Sequence, residues 1–586
     1  MQVNAVRKET LRAAVVVLVG YTVLAVLWLH AGWRQPTVRQ IGLAGDPQVF
    51  AWFFGWFPWA ITHGHNPIIT HHLMAPGGAN LLASTSVPLA AVALGPVTAA
   101  FGPVAAYNVA ATMAPPLAGW SAFLVCRRFT PSLVACAAAG LMYGFSPYMQ
   151  SKALTHLNLA IIVFPPFALA MLHELLVTQR RSPYKVGVVF GAGAAAQVLL
   201  STELLAMTAV MSAVFTAVLV AFGHRTWRVH VPHALRGLAT AAVVTLALGG
   251  VFMWIAVFGP RHVSGLIQPR NTFVSDLLGI LVPSRFQAVS THGAAAQFRH
   301  FTGNGGEFST YLGIPFVVLL AAVFWLGRRR RAMQVAAIMF VAALLLSFGG
   351  WLHVNGHKLD VPLPWTVLSH APLLENVLPS RFILFAWLAA AVMLALFIED
   401  VSRARRRATR LVAVGALAVT TASLWPLLHP PSTRVTAPRF FVTSDVRRIP
   451  EGATAIVAPT RASSIVPMVW QLKADFRFLM PQGPVFTPDG WGNANVPLFT
   501  VINVVERDLP RSLFPIPDVC REIPASFSNG CLALARADLR AKNVRAIVLG
   551  QAAQESDLRR FFTLLVRRAP TRAGGVDLWL FDPAAL

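Results

Sequence analysis

The sequence predicts a polytopic α-helical membrane protein of about 11 transmembrane helices, with a long first outer loop that holds juxtamembrane helices and a small C-terminal extracytoplasmic α/β domain. Three observations carry this prediction. The 586 residues are 56% hydrophobic and only 12% charged, with a mean hydropathy of +0.60, which is more apolar surface than a soluble chain could cover with water-compatible groups. Apolar runs of the ~20 residues needed to cross ~30 Å of hydrocarbon recur as far as residue 430. Lys and Arg collect in every second loop between those runs.

The runs fall at 13–31, 104–126, 132–149, 159–177, 186–203, 204–222, 237–258, 310–327, 333–350, 382–398 and 411–428. The first lacks a small-residue cleavage site and continues into Trp33 and Arg34, as a retained span does. Basic residues gather at Arg7, Lys8 and Arg12, at Arg127 and Arg128, at Arg180, Arg181 and Lys185, at Arg225, Arg228 and Arg236, at Arg328–Arg331 and at Arg403–Arg410. Lys and Arg in short loops resist translocation. The N-terminus is therefore expected in the cytoplasm and everything after about residue 430 outside it. On this map much of the net charge of +25 is a topology signal, with further Arg spread over the outer domain, and it asks for no nucleic-acid partner. The Ala, Val, Arg and Pro bias fits a GC-rich bacterial genome, so the expected location is a bacterial inner membrane.

Two domains follow, 1–430 in the membrane and 431–586 outside it. The first outer loop, 32–103, holds two stretches too short or too interrupted to span: 47–63, broken by Pro58, and 87–101. Both read as interfacial helices, with Trp52, Trp56 and Trp59 at headgroup level. Later outer loops, 259–309 and 351–381, hold NTFVSDLLGILVPSRF, GNGGEFSTYLG and HAPLLENVLPSRF. In the outer domain, strand-like runs at 453–459, 544–550 and 574–582 alternate with a helix-like run at 554–568. It has no GxGxxG, GxxxxGK[ST] or GxSxG, so nothing there suggests nucleotide binding or a serine hydrolase. Cys520 and Cys531 lie where a disulfide can persist, whereas Cys126 and Cys136 flank a cytoplasmic loop and are expected as free thiols. No Cys/His metal spacing occurs.

Charged side chains outside the membrane are few enough to weigh singly. Asp46 stands in GDPQVFAWFFGWFPWAITHGHNP, at the head of the 47–63 stretch. Followed by Pro47, it reads as an N-cap with proline at the first helical position. It also reads as a general base at the lipid–water boundary, taking a proton from a hydroxyl that attacks a group carried on a lipid. Glu203, in LLSTELLA between two spans, is either the partner of a buried Arg or an acid in a cavity, since a charge at membrane depth needs one or the other. His63, His65, His71 and His72 could ligate a divalent metal with Asp46. Their spacing matches no established ligand motif, and ordinary polar surface explains them as well. Asp276, Glu307 and Glu375 serve equally as helix caps, as loop ion pairs or as groups that bind acceptor hydroxyls.

A retained first span, a long outer loop with an early Asp, two juxtamembrane helices, many further spans and an outer C-terminal domain together resemble the GT-C superfamily of polyprenyl-phosphate-sugar-dependent glycosyltransferases. The stretch around Asp46, APGGANLL (75–82), FGPVAAYN (101–108), YGFSPYMQSKALTHLNL (143–159) and LPSRF (378–382) are similar to those of bacterial members. The resemblance implies that Asp46 is the catalytic base of an inverting transfer from a polyprenyl-phosphate donor to an extracytoplasmic glycan, glycolipid or protein. A departing lipid phosphate develops charge, so fixed cations are expected to meet it: Arg381, with Lys152 and His156 as a second pair. Arg381 reads equally as an interfacial anchor that snorkels to the headgroups. Gln48, Asn80, Glu203 and Glu307 are expected to line the cavity for the acceptor. No cofactor is required. The first loop has no second Asp or Glu, so a metal-dependent, two-carboxylate version lacks its pair. Besides donor and acceptor, the expected partners are membrane lipids.

Two other classes compete. A lipid or polysaccharide transporter or flippase needs polar groups or broken helices near the bilayer midplane, and here the ionisable residues sit mostly at span ends. A non-catalytic subunit of a cell-envelope assembly would also suit the outer domain.

Overall fold

The computed structural model describes residues 2–84, 86–223, 227–460, 465–488, 490–491, 497–506, 520 and 527–586. Arg225 of the fourth basic cluster lies outside them. Each of the eleven apolar runs holds a helix: α1 (Gln2–Trp28), then, after α2 (Asp46–Thr62) in the first loop, α3 (Pro103–Cys126) and α4 (Leu133–Gly144). The short α5 (Pro147–Thr155) precedes α6 (Phe164–His173), α7 (Pro183–Val198), α8 (Thr202–Phe222) and α9 (Trp227–Phe258). The last four are α10 (Ile314–Gly327), α11 (Arg331–Ser347), α12 (Ile383–Ser402) and α13 (Arg407–Ser423). Among the described residues, six segments are long and apolar enough to cross a membrane: Glu9–Trp28, Pro103–Cys126, Leu157–Thr178, Thr202–Phe222, Val229–Phe258 and Pro379–Ser402. The helices α4, α10 and α11 are apolar but shorter.

Burial separates the centre of the bundle from its rim. Nearly every residue of α12 is buried, and its alanines at 386, 389, 390, 391 and 395 let neighbouring helices approach closely. By contrast, α1 and α9 expose most of their apolar side chains, the arrangement of helices whose solvent is lipid.

One face of the bundle carries the C-terminal segment. There β1 (Arg39–Ile41), in the first loop, pairs antiparallel with β4 (Ser432–Arg434), just after α13, in the register Arg39↔Arg434. The hairpin β2 (Trp351–Val354) and β3 (His357–Pro362) lies between them in sequence. Beyond β4, the strands β5 (Thr454–Ala458), β6 (Val544–Leu549), β7 (Thr571–Ala573) and β8 (Val576–Leu580) form one sheet in the order β7-β8-β6-β5. β5 and β6 run parallel and the other pairs antiparallel. Helix α16 (Glu555–Val566), which follows α14 (Ile465–Lys473) and α15 (Asn529–Ala541), turns Leu558, Phe561, Phe562 and Leu565 into the core beneath that sheet. Cys520 and Cys531 are bridged, and Cys126 and Cys136 are free and buried.

Helix α2 departs from expectation in two ways. It does not break at Pro58 but continues to Thr62. Proline removes the amide that would bond the Phe54 carbonyl, and the Thr98 hydroxyl donates to that carbonyl instead, at 3.2 Å. Two of its tryptophans are also not headgroup anchors. Trp52 and Trp56 are fully buried and stacked 5.4 Å apart, with Phe476 edge-on to both. Trp52 Nε1 donates to Gln471 Oε1 at 2.9 Å. Residues 465–480 fold back over α2 and withdraw its aromatic stripe from lipid and water alike.

The two readings of these tryptophans predict different stabilities. Trp52→Ala, which empties a packed site and strands Gln471, is expected to cost about 3–5 kcal/mol, read as a lowered Tm of the purified protein. Trp254→Ala on α9, where the side chain is 57% exposed, is expected to stay within about 0.5 kcal/mol of the parent. Equal effects would return Trp52 to the role of surface anchor.

Candidate active site

Asp46 is the first residue of α2, and its neighbours explain why its carboxylate is free for other work. The chain enters the helix through Gly45 at φ 137°, a conformation that glycine adopts without strain. The Gly45 amide is satisfied by Gln48 Oε1 at 3.2 Å. The N-cap reading of Asp46 is therefore corrected: capping falls to Gln48, and the Asp46 carboxylate instead accepts from His156 Nε2 at 3.1 Å.

His156 follows directly on α5. Its Nδ1 lies 2.8 Å from Thr155 Oγ1, and the Thr155 hydroxyl hydrogen is directed to the Ser151 carbonyl at 2.8 Å. Both ring nitrogens thus face oxygen atoms, Nε2 toward the Asp46 carboxylate and Nδ1 toward the Thr155 hydroxyl. The same Nε2 comes within 3.7 Å of Glu307 Oε1.

Glu307 is the hub. It takes Lys152 Nζ on Oε2 at 2.7 Å, Arg381 Nη2 on Oε1 at 2.6 Å and Arg381 Nε on Oε2 at 3.2 Å. Arg381 Nη1 reaches across to the Glu203 carboxylate, whose Oε1 also accepts the Leu378 amide at 3.0 Å. The GNGGEF stretch brings its acid this close because Gly306 has no side chain: a Cβ there would sit 2.7 Å from His156 Cε1. Lys152 Nζ donates to the Gly306 carbonyl as well, at 2.8 Å.

The electrostatics follow from this geometry. Burial acts to raise the Glu307 carboxyl, but the charges of Arg381 and Lys152 more than reverse it, leaving Glu307 well below the ordinary carboxylate range. For Asp46 burial again acts upward and is outweighed by the hydrogen bond and charge of His156, so the net displacement is downward. Burial pushes Lys152 down to about 8 against the opposing pull of Glu307.

Six of the sequence-selected residues, Asp46, Lys152, His156, Glu203, Glu307 and Arg381, therefore converge. Their exposure separates their capacities. The Asp46 side chain is 50% exposed and that of His156 17%, Arg381 keeps 11%, and Lys152 has none. Lys152, expected against the donor phosphate, is sealed beneath Glu307 and can act only through it. Arg381 is no snorkelling anchor, because its guanidinium is clasped by two carboxylates. Both readings of Glu203 meet in it: it partners a buried Arg, and that Arg belongs to the cluster.

Other expected residues lie elsewhere. Gln48 is consumed by the cap. Asn80 donates to the Ile255 and Pro260 carbonyls and accepts from Leu82 N, so it ties the first loop to α9 rather than lining the site. His63 and His65 stack on Trp59 at 4.5 and 5.1 Å, and His71 Nδ1 bonds the Pro76 carbonyl. His72 packs against Trp56 and Trp59, and burial pushes it down to about 4. Among the described residues no group of three or more His, Cys, Asp or Glu is placed to hold a metal ion. Asp276 accepts three backbone amides, from Leu278, Asn355 and Gly356, and so organises a loop. Thr155 and Gly306 were not selected from the sequence. The doubled glycine before a lone acid was the signal for the second.

An apolar groove of about 520 Å³ begins close to the cluster, lined by Leu169, Met211, Phe215, Leu219, Leu388 and Val392 among others. Its upper lining includes Thr208 and Phe385, roughly one helical turn beyond Glu203 and Arg381. Along α8 it continues to Gly223, a run of ~22 Å at 1.5 Å per residue, and it ends near Arg331.

No curated protein matches the chain. Solved structures match at low identity. The arabinofuranosyltransferase AftD from Mycobacteria is 13% identical with a TM-score of 0.57, the match covering 97% of this chain and 41% of that one. The oligosaccharyltransferase from Archaeoglobus fulgidus in the apo form is 12% identical with a TM-score of 0.50, covering 91% and 69%. The same enzyme tethered to an acceptor peptide is 14% identical, with a TM-score of 0.50 and coverage of 91% and 68%. This chain thus spans less than half the length of the mycobacterial enzyme. These neighbours are GT-C glycosyltransferases, and this chain shares their helical fold. A family model described as "Domain of unknown function (DUF6311)" matches residues 17–425, and the chain belongs to that family.

Proposed function

We propose that the chain is an integral membrane glycosyltransferase that moves a sugar from a polyprenyl-phosphate donor to an acceptor hydroxyl, with inversion and with Asp46 as general base. One observation carries the reading. A half-exposed carboxylate, held by His156, stands at the rim of a buried ionic cluster, close to the head of an apolar groove with the length of a lipid chain. In this reading the groove takes the prenyl tail. The cluster lies on the extracytoplasmic side of a bacterial inner membrane, the N-terminus is cytoplasmic, and residues 431–586 form an outer domain over residues 1–430.

The transfer balances as follows. The acceptor hydroxyl gives its proton to Asp46 while its oxygen bonds to the anomeric carbon. The bond from that carbon to the phosphate oxygen breaks, and polyprenyl phosphate leaves with the electron pair. His156 and the exposed edge of Arg381 meet the charge that develops on the leaving oxygen. Lys152 is a positioning residue that holds Glu307, and through it Arg381. No step uses a metal or a nucleotide. The lowered Asp46 carboxyl is a weaker base than a free one, but it is ionised whenever a substrate arrives.

Release of polyprenyl phosphate from polyprenyl-phosphate monosaccharides, followed in nanodiscs, tests the base. Asp46→Asn is expected to lower kcat by about 10²–10⁴ with Tm retained, and turnover at the parental rate would sink the assignment. Because the Asp46 carboxyl lies below its ordinary value of 3.8, acidification from neutrality should leave the base ionised, with its loss setting in only below that value.

The cluster has a separate stability signature. Glu307→Gln leaves two buried cations short of their counter-charge, with an expected cost of about 3–5 kcal/mol. A carboxyl depressed on folding contributes stability above its unfolded value and loses it as pH falls through the folded one. The parent should therefore shed this contribution only below about pH 4.5, while the Gln variant lacks it throughout. Parental Tm in Glu307→Gln would show that the cluster does not hold the loops together.

A further inference from the structure

A second cleft, of about 260 Å³, opens beside the ionic cluster between the loop after α9, the start of β2, residues 365–370 and the strap 375–379 that leads into Arg381. It is just below the ~300–1,000 Å³ of pockets for drug-sized molecules, with room for a sugar ring and its hydroxyls. The strap is shared with the cluster: Leu378 and Pro379 line the cleft, and the Leu378 amide is bonded to Glu203.

Two kinds of surface meet there. Trp351 supplies a half-buried indole ring, and the buried Trp365 backs the cleft wall. Trp365 is held by an edge contact to Phe382 at 5.1 Å, and Lys358 Nζ lies 4.4 Å from the Trp351 ring centre. Around them stand Gln268, Arg270 and Glu375. Among the described residues the Gln268 and Glu375 side chains have no hydrogen-bond partner, and the Arg270 guanidinium uses one nitrogen, on His370 Nε2 at 2.7 Å. Asn376 belongs to the frame, since its amide bonds Ile267 N and the Gly265 carbonyl.

Unused donors on a guanidinium, unused acceptors on a carboxylate and a free amide match neighbouring hydroxyls, each of which both donates and accepts. The Trp351 indole matches the apolar C–H face of a sugar ring. A phosphate would be repelled by Glu375, and a hydrocarbon chain would desolvate Arg270 and Glu375 without pairing them.

We propose that this cleft is an acceptor subsite for a saccharide, holding a ring next to the one that reacts, and that the acceptor is a glycan. The proposal rests on the glycosyltransferase reading above, so its test separates binding from turnover. Saturation-transfer NMR on the full chain in nanodiscs would use trisaccharides of mannose, arabinose, galactose and glucose, with an unglycosylated peptide containing Asn, Ser and Thr as competitor. At least one trisaccharide is expected to bind, and Trp351→Ala and Glu375→Gln each to weaken it by about tenfold or more at parental Tm. In turnover, Glu375→Gln should raise the acceptor KM and keep kcat. Failure of all four sugars to bind, parental affinity in both cleft variants, or binding of the peptide in place of the sugars overturns the proposal. Release of polyprenyl phosphate that persists in any of those cases leaves the transferase reading standing.

Discussion

The structure around the candidate site depends on keeping Glu307 ionised where burial opposes it. A lone carboxylate so enclosed would take up a proton. Here the Lys152 ammonium and a two-point contact with Arg381 hold it charged. Those contacts join α5, the loop before α10 and the turn before α12, and the second arm of Arg381 adds α8 through Glu203. Four chain segments distant in sequence are thereby pinned to one point. Buried ion pairs of this kind contribute little net stability against an apolar replacement. Their effect is geometric, because each charge is tolerable only while the others stay in place.

A second constraint holds Asp46 from the other side. Helix α2 is clamped along its length by residues 465–480 through the Trp52, Trp56 and Phe476 cluster and the Trp52–Gln471 bond. Pairing of β1 with β4 fixes the chain just before it. The C-terminal segment therefore sets the position of the candidate base, while none of its described residues joins the cluster. In the absence of that cover, the aromatic stripe of α2 would face lipid or water, and the orientation of its first residue would be set only locally.

Much of this was legible in the sequence, and the reason differs by element. The eleven apolar runs and the strand–helix alternation of the C-terminal segment are local properties, carried by hydropathy and by β-branched clusters, and the helices and strands fall where those properties place them. Asp46, Lys152, His156, Glu203, Glu307 and Arg381 stood out because charge is scarce in this chain. Their pairing was not legible, since it joins positions up to 178 residues apart. The tryptophans of α2 misled for the same reason: a Trp-rich amphipathic stretch looks alike whether its apolar face meets lipid or a distant part of the chain. Pro58 misled because the hydroxyl that rescues its orphaned carbonyl lies on Thr98. Gln48 and Asn80 are buried polar groups satisfied by backbone, and type and position alone do not distinguish such a residue from a ligand.

The charge count of the cluster bears on why one base can suffice in the proposed transfer. Three carboxylates, Asp46, Glu203 and Glu307, face Arg381, Lys152 and the His156 ring, which balances them when it carries its second proton. In the transfer Asp46 gains the acceptor's proton and becomes neutral as the departing phosphate gains a negative charge. The total charge of the site is thus unchanged; only its position moves, from the first turn of α2 toward Arg381. His156 Nε2 lies 3.1 Å from Asp46 and 3.7 Å from Glu307, so as its hold on Asp46 weakens this nitrogen becomes available to the phosphate. A site that shifts charge between fixed partners needs little reorganisation, and on this argument the rigidity imposed by Glu307 is what lets a single exposed carboxylate serve as base without a second acid beside it.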